Sequence, residues 1–134
     1  MKLRTPIKPD KLKRLISHRT PVIMMGSCFT DNVGEKLTQH LFDVVVNPFG
    51  VIYNPLSVKK GITQLLSREN YKEDDLKFHN ELWFSFDHYT KYSATSKKEA
   101  LQKLNTDFSI AKQKLKSAGF LIITFGTAFS YRNK

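Results

Sequence analysis

Three short apolar runs constrain this chain more than any other feature. Val22-Ile23-Met24-Met25 stops at Gly26, Phe42 to Val46 stops at Asn47-Pro48-Phe49-Gly50, and Phe120 to Phe125 stops at Gly126. Each run is too short for a stable helix and lacks the polar alternation of a half-wet strand. Such runs read as strands covered on both faces, the kind found in parallel sheets. The consecutive valines 44 to 46 favour strand through β-branching.

Helical spacing fills the intervals. Phe29, Val33, Leu37 and Leu41 recur every fourth position, with Ser27 or Thr30 placed to cap a helix over 28–40. Asn54-Pro55 pairs a cap residue with proline at the first helical position. The helix it opens, from Pro55 to Leu66, is expected to bury Leu56, Ile62, Leu65 and Leu66. Ser96-x-x-Glu99 has the form of a capping box. It opens a stripe of Leu101, Leu104, Phe108, Ala111, Leu115 and Ala118 that Gly119 ends. Residues 68–95 carry Phe78, Leu82, Trp83, Phe84, Phe86 and Tyr89, with His79 and His88 among them. They read as a loop or short hairpin that lays an aromatic face on the domain, its histidines exposed. The order strand, helix, strand, helix, aromatic insert, helix, strand predicts an α/β fold. It has an open, mostly parallel sheet with helices on both faces.

With 134 residues the chain holds one domain. Its formal net charge of +10 is uneven. Residues 1–19 hold seven basic side chains against Asp10, and residues 97–116 hold six lysines against Glu99 and Asp107. A basic arm over 1–20 can bind nucleic acid by displacing counterions. Without a zinc finger, RNP-type motif or helix-turn-helix, nucleic acid is the disfavoured partner, and a solvated arm is expected. Pro6, Pro9 and Pro21 break up this region, leaving room for a short helix at 10–17. The single cysteine excludes an intrachain disulfide and a Cys-based zinc site. No metal or cofactor is expected. Neither a membrane-length apolar run nor a secretory h-region is present, so the cytoplasm is the default compartment and no membrane partner is expected.

In a parallel sheet the three glycine turns would share the carboxyl-end rim, where open α/β sheets bind ligands. The turns carry no phosphate-binding fingerprint. They carry a thiol, hydroxyls and amides instead, which points to acyl or ester chemistry. Cys28 sits at a helix start, where the helix dipole favours a thiolate. The alternative is a small buried residue beneath the turn. Ser27 is a second nucleophile candidate or a simple cap, and Ser57 a weaker one, since a serine needs an adjacent base. His79 and His88 are candidate bases. Gly50 and Asn54 are candidate oxyanion donors, or simply a turn and a cap. Gly126 and Thr127 complete the rim.

Four blocks in order carry a specific resemblance. They are Gly26-Ser27-Cys28-Phe29-Thr30-Asp31-Asn32-Val33-Gly34, Val46 to Pro55, His79 to His88, and Leu121 to Arg132. The sequence closely resembles the GSCFA family from residue 21 onward, as the N-terminal part of such a domain, with Thr30 replacing the family's alanine as a neutral change. That family is similar to the SGNH (GDSL-type) hydrolases. The resemblance implies a flavodoxin-like three-layer α/β/α fold and hydrolase or acyltransferase activity on an ester, with an O-acylated carbohydrate as a family-level substrate. It places Cys28 at the nucleophile position and Gly50 at the oxyanion glycine. In the third motif Ala128 stands where an asparagine is the rule, which removes one oxyanion donor. The resemblance also implies a longer domain with further strands and an acid–histidine pair. The chain is therefore expected to be truncated, inactive as it stands, and prone to self-associate through an open sheet edge. A non-catalytic ligand-binding module of the same fold is the alternative.

Overall fold

The computed structural model describes residues 5–8, 10 and 13–130. Its elements run β1 (Val22–Met25), α1 (Cys28–Gln39), β2 (Val44–Val46), α2 (Pro55–Ser67), β3 (Lys77–His79), β4 (Leu82–Phe84), α3 (Lys97–Ser117) and β5 (Phe120–Ile123). β1 is the centre of a three-stranded sheet ordered β2-β1-β5, parallel throughout. All four β1 residues are buried, as a central strand covered on both faces requires.

Alternation along the strands assigns the layers. Ile23, Met25 and Val45 pack with Leu65 of α2 and Phe108 and Ala111 of α3. Val46 points to the opposite face, where it meets α1 at Gly34. A Cβ built on Gly34 would lie 2.4 Å from Val46 Cγ2. The result is a three-layer α/β/α arrangement in which α2 and α3 share one side and α1 holds the other. Asn54 caps α2 as its position implies, its side chain accepting from the Ser57 amide. Ser96 caps α3 by accepting from the Glu99 amide, while the Glu99 carboxylate pairs with Lys103.

The insert is a true hairpin. β3 and β4 pair antiparallel around Asn80-Glu81, both at positive φ (45° and 61°), the mirror-turn geometry that matches strand twist. Trp83 at its base packs on a second cluster of Leu76, Tyr92, Ala94, Ala100 and Leu104.

Several burial expectations fail for one reason. Close approach of backbone, rather than apolar periodicity, decides which helix face turns inward. In α1 the buried residues are Thr30 and Gly34, so Phe29 is 62% exposed; Leu41, 84% exposed, lies beyond the end of the helix at φ 61°. In α2 Val58, Gly61 and Leu65 face inward, leaving Leu56 and Leu66 outside. Of the helix expected at 10–17, residues 11–12 lie outside the described residues and 13–17 are not helical. β2 and β5 are shorter than their apolar runs, β2 starting at Val44 and β5 ending at Ile123.

Gly34→Ala tests the closeness of α1 to β2. The added methyl has no space beside Val46, and overpacking of this kind costs about 1–3 kcal/mol. Chemical denaturation is expected to show that loss, although alanine is the better helix former. A variant as stable as the parent would mean that α1 sits further from the sheet.

Candidate functional site

The turns after β1, β2 and β5 meet at one rim, and Asn47 joins two of them. Its side-chain Oδ1 accepts from the Gly26 amide at 2.7 Å, and its Nδ2 donates to Asp31 Oδ1 at 2.5 Å. Its own amide donates to Met24 O at 2.8 Å. Asn47 is 1% exposed and adopts φ 43°, a left-handed conformation that asparagine tolerates better than most residues. Gly26 lies at φ 146°, and a Cβ there would sit 2.1 Å from the Thr124 carbonyl oxygen. Tyr53 O ties in the third turn by accepting from the Gly126 and Thr127 amides at 2.9 and 3.1 Å.

Cys28 is the first residue of α1 and is exposed. Beneath its turn lies a set of three hydroxyls. Thr124 Oγ1 accepts from the Ser27 amide at 3.1 Å and shares hydrogen bonds with Ser27 Oγ at 3.1 Å and Thr30 Oγ1 at 2.5 Å. Ser27 therefore stands at the cap position without capping; its hydroxyl turns inward to Thr124, and only 7% of the residue is exposed. Thr30 is wholly buried, with its hydroxyl bonded to Thr124, a contact alanine could not make. It supplies one of the three hydroxyls.

The backbone amides of Gly50, Gly126 and Thr127, expected to bind an oxyanion, are committed within the fold. Gly50 N donates to Asn47 O at 2.7 Å. Asn54 Nδ2 donates one of its two hydrogens to Ser57 Oγ at 3.0 Å. The Gly126 and Thr127 amides serve Tyr53, and Thr127 Oγ1 accepts from Phe129 N at 3.1 Å. Gly50 has a structural reason to be glycine, at φ 81° with Tyr89 Cβ 2.2 Å from where a Cβ would stand.

The two histidines lie apart from the thiol. His79 is exposed on β3. His88 is not the exposed loop residue its surroundings in the sequence imply. Its ring packs 5.2 Å from Phe49, 4.7 Å from Tyr71 and 5.1 Å from Tyr92, centroid to centroid. Burial pushes its pKa down to about 4, against the pull of Asp87 and with help from Arg68. Among the described residues neither histidine hydrogen-bonds to Cys28 or Ser27. Among the described residues no three His, Cys, Asp or Glu side chains gather as a metal-binding group, and no helix is long and apolar enough to cross a membrane.

A cavity of about 500 Å³ opens between the start of α2 and residues 86–89. Asn54, Ser57, Lys60, Asp87 and His88 line it, and Cys28 does not. Asp87 anchors its wall through Lys60 and through Gln64 Nε2 at 2.6 Å. The structure thus brings Asn54 and His88 together in one hollow, and Ser27, Cys28 and Gly126 together at the rim.

A family model for the GSCFA family matches residues 21–134. The chain belongs to the GSCFA family. No curated protein and no solved structure matches it. Sequence reasoning missed the residues that assemble this GSCFA rim, namely Asn47, Asp31 and Thr124. A lone hydroxyl inside the apolar run Leu121 to Phe125 was a usable signal for Thr124. Asp31 and Asn47 carried none, because a side chain that serves a distant amide leaves no periodicity.

Asn47→Ala removes both side-chain bonds, strands the buried Gly26 amide and puts alanine at positive φ. Each unsatisfied buried group costs about 1–3 kcal/mol, so a loss of about 2–4 kcal/mol is expected in equilibrium unfolding. A loss below about 0.5 kcal/mol, the range of neutral surface changes, would show that the rim does not hang on this side chain.

Proposed function

We propose that this GSCFA domain offers Cys28 as a nucleophile toward ester carbonyls, in the manner of an SGNH-type hydrolase or acyltransferase. The substrate class is a small-molecule ester, O-acylated carbohydrate included. The observation that carries the reading is the placement of Cys28. It is exposed on the first turn of α1, at the carboxyl end of the central strand. The Thr30 amide at the start of α1 already serves Ser27 O, so the Cys28 and Phe29 amides are the oxyanion donors of this proposal, in place of Gly50, Gly126 and Thr127.

In the first step the thiolate sulfur bonds to the acyl carbon and the C–O bond breaks. The alkoxide leaves and takes a proton from water. In the second, water adds to the thioester carbon, the C–S bond breaks, and the carboxylic acid and thiol are released; transfer to an alcohol would regenerate an ester instead. Cys28 has no histidine partner among the described residues, so neither step is assisted by a positioned base. Acylation without turnover is the expected behaviour of this chain.

Incubation with p-nitrophenyl acetate is expected to give one thioester per chain, labile to hydroxylamine and mapped to Cys28 by peptide mass. Cys28→Ala should abolish that adduct, and His79→Ala should leave it unchanged. Acetyl groups on lysines alone would remove the basis for a nucleophilic Cys28. The committed amides of Gly50, Gly126 and Thr127 favour a second reading, a binding module of the same fold. That module would hold an unmodified ester without acylation.

Self-association through the sheet edge is part of the same proposal. Along β5, Leu121 and Ile123 are 41% and 37% exposed although they share a face with the buried Ile23 and Met25. Sedimentation is expected to show concentration-dependent dimers or larger species, reduced by Leu121→Lys. A monomer across the full concentration range would overturn this part.

A further inference from the structure

His88 is held in a setting that suits only its neutral form, and the segment around it seals the turn that carries Asn47. The ring Nε2 is enclosed without a hydrogen-bond partner. Nδ1 lies 3.2 Å from Ser85 Oγ. The Asp87 amide donates to that same Ser85 oxygen at 3.2 Å, which leaves the serine hydrogen available to Nδ1. The ring proton then resides on Nε2, inside the cage of Phe49, Tyr71 and Tyr92.

Aromatic rings can stabilise a cation, but here the tyrosines already serve others. The Arg68 guanidinium sits 4.1 Å over the Tyr71 ring and Lys91 Nζ sits 4.9 Å over the Tyr92 ring. Both phenol hydroxyls are spent as well. Tyr71 donates to Gln64 Oε1 at 2.9 Å. The Tyr92 hydroxyl lies 2.7 Å from Pro48 O and 2.8 Å from Asp107 Oδ2. An imidazolium would be a third positive charge in this space, beside Arg68 and Lys91. The charged groups around the cage are Arg68 and Lys60 of the α2 side, Asp87 on the segment itself, Lys91 beside Tyr92, Asp75 beside Arg68, and Asp107 of α3. Asp87 is the one carboxylate that favours the charged ring, and it is already bound to Lys60 and Gln64. The phenols of Tyr71 and Tyr92, held above their ordinary range first by burial, stay protonated wherever His88 titrates.

The segment makes three attachments to the turn after β2. Tyr89 N donates to Phe49 O at 2.8 Å, Tyr92 reaches Pro48 O, and Tyr89 Cβ fills the space that Gly50 leaves. None of these belongs to the β2-β1-β5 ladder. We propose that residues 85–92 form an acid-released latch, in which protonation of His88 drives its ring from the aromatic cage and frees the segment from the Pro48–Gly50 turn while the parallel sheet stays intact.

The direction follows from linkage. A histidine whose folded pKa is depressed stabilises the closed form fully above its ordinary value of 6.5 and loses that contribution as pH falls toward about 4. The released-to-closed ratio then rises about tenfold per pH unit, about 300-fold in all.

The experiment is a pH titration of the full chain by NMR, following the His88 ring signals together with amide hydrogen exchange, corrected for intrinsic pH dependence. The expected result has His88 titrating below pH 5. Protection of the Tyr89 amide should fall by one to two decades or more between pH 6.5 and 4.5, and the Asn47 and Thr124 amides, bonded to β1, should keep theirs. His88→Phe should abolish the step; if that variant does not fold, the parent's ring titration decides alone. A His88 pKa at or above 6.5 would show that the rings hold the imidazolium, and would overturn the latch. So would loss of Asn47 and Thr124 protection in the same step, which is global unfolding.

Discussion

The Asn47 side chain does what no apolar contact in this fold can do. Parallel strands end with carbonyls and amides that the next element must satisfy, and the Gly26 amide lies buried at the point where β1 gives way to α1. Asn47 accepts from it, donates to Asp31 in the first turn of α1, and bonds through its backbone to Met24. One residue at the end of β2 thereby fixes where β1 stops and how α1 departs. Cys28 is exposed at the rim because that departure is fixed. A buried polar group with all its partners present specifies one arrangement, since every alternative leaves an amide or a carboxylate unsatisfied in the interior.

The hydroxyls of Ser27, Thr30 and Thr124 extend the same principle to the other neighbour of β1. Gly26 lies against the Thr124 carbonyl, closer than any side chain would allow. The turn amide then finds Thr124 Oγ1 rather than a carbonyl. β5 is thus tied to the Cys28 turn by a side chain, and β2 by another. The helix start is framed by polar contacts on both flanks, while the apolar packing of Ile23, Met25, Leu65 and Phe108 lies on the α2 and α3 side of the sheet.

How much was legible in the sequence follows from this division. Apolar runs and glycine stops located β1, β2 and β5, and the parallel sheet followed because nothing polar interrupts β1. The caps of α2 and α3 were legible because asparagine and serine act on amides three residues away. The inward faces of α1 and α2 were not. Gly34 and Gly61 let backbone approach Val46, Met25 and Phe49, so the helices rotate toward their glycines and turn Phe29, Leu56 and Leu66 outward. Apolar periodicity assigns glycine no weight and so points the wrong way. For the site, the rim was legible as a place and its donors were not. Whether an amide is available depends on carbonyls such as Tyr53 O and Asn47 O, which every residue carries and no motif marks.

The four residues from Asn47 to Gly50 connect two regions that are separate in sequence and in chemistry. Asn47 faces the Cys28 turn. Pro48 O, Phe49 and the bare Cα of Gly50 face the histidine cage and its segment. The turn has Asn47 at φ 43° and Gly50 at φ 81°, two left-handed positions separated by proline and a buried aromatic ring, so it has little freedom to adjust one side independently. A charge placed on His88 and a ligand placed against Cys28 therefore act on opposite sides of one stiff joint. Coupling between them requires that the joint have two arrangements, and the packing of Phe49 against both His88 and Phe108 is the element that would have to switch. With Phe108 fixed in the α3 layer, release of residues 85–92 uncovers the joint without moving it. The thiol rim is then insulated from the latch by the same rigidity that positions it.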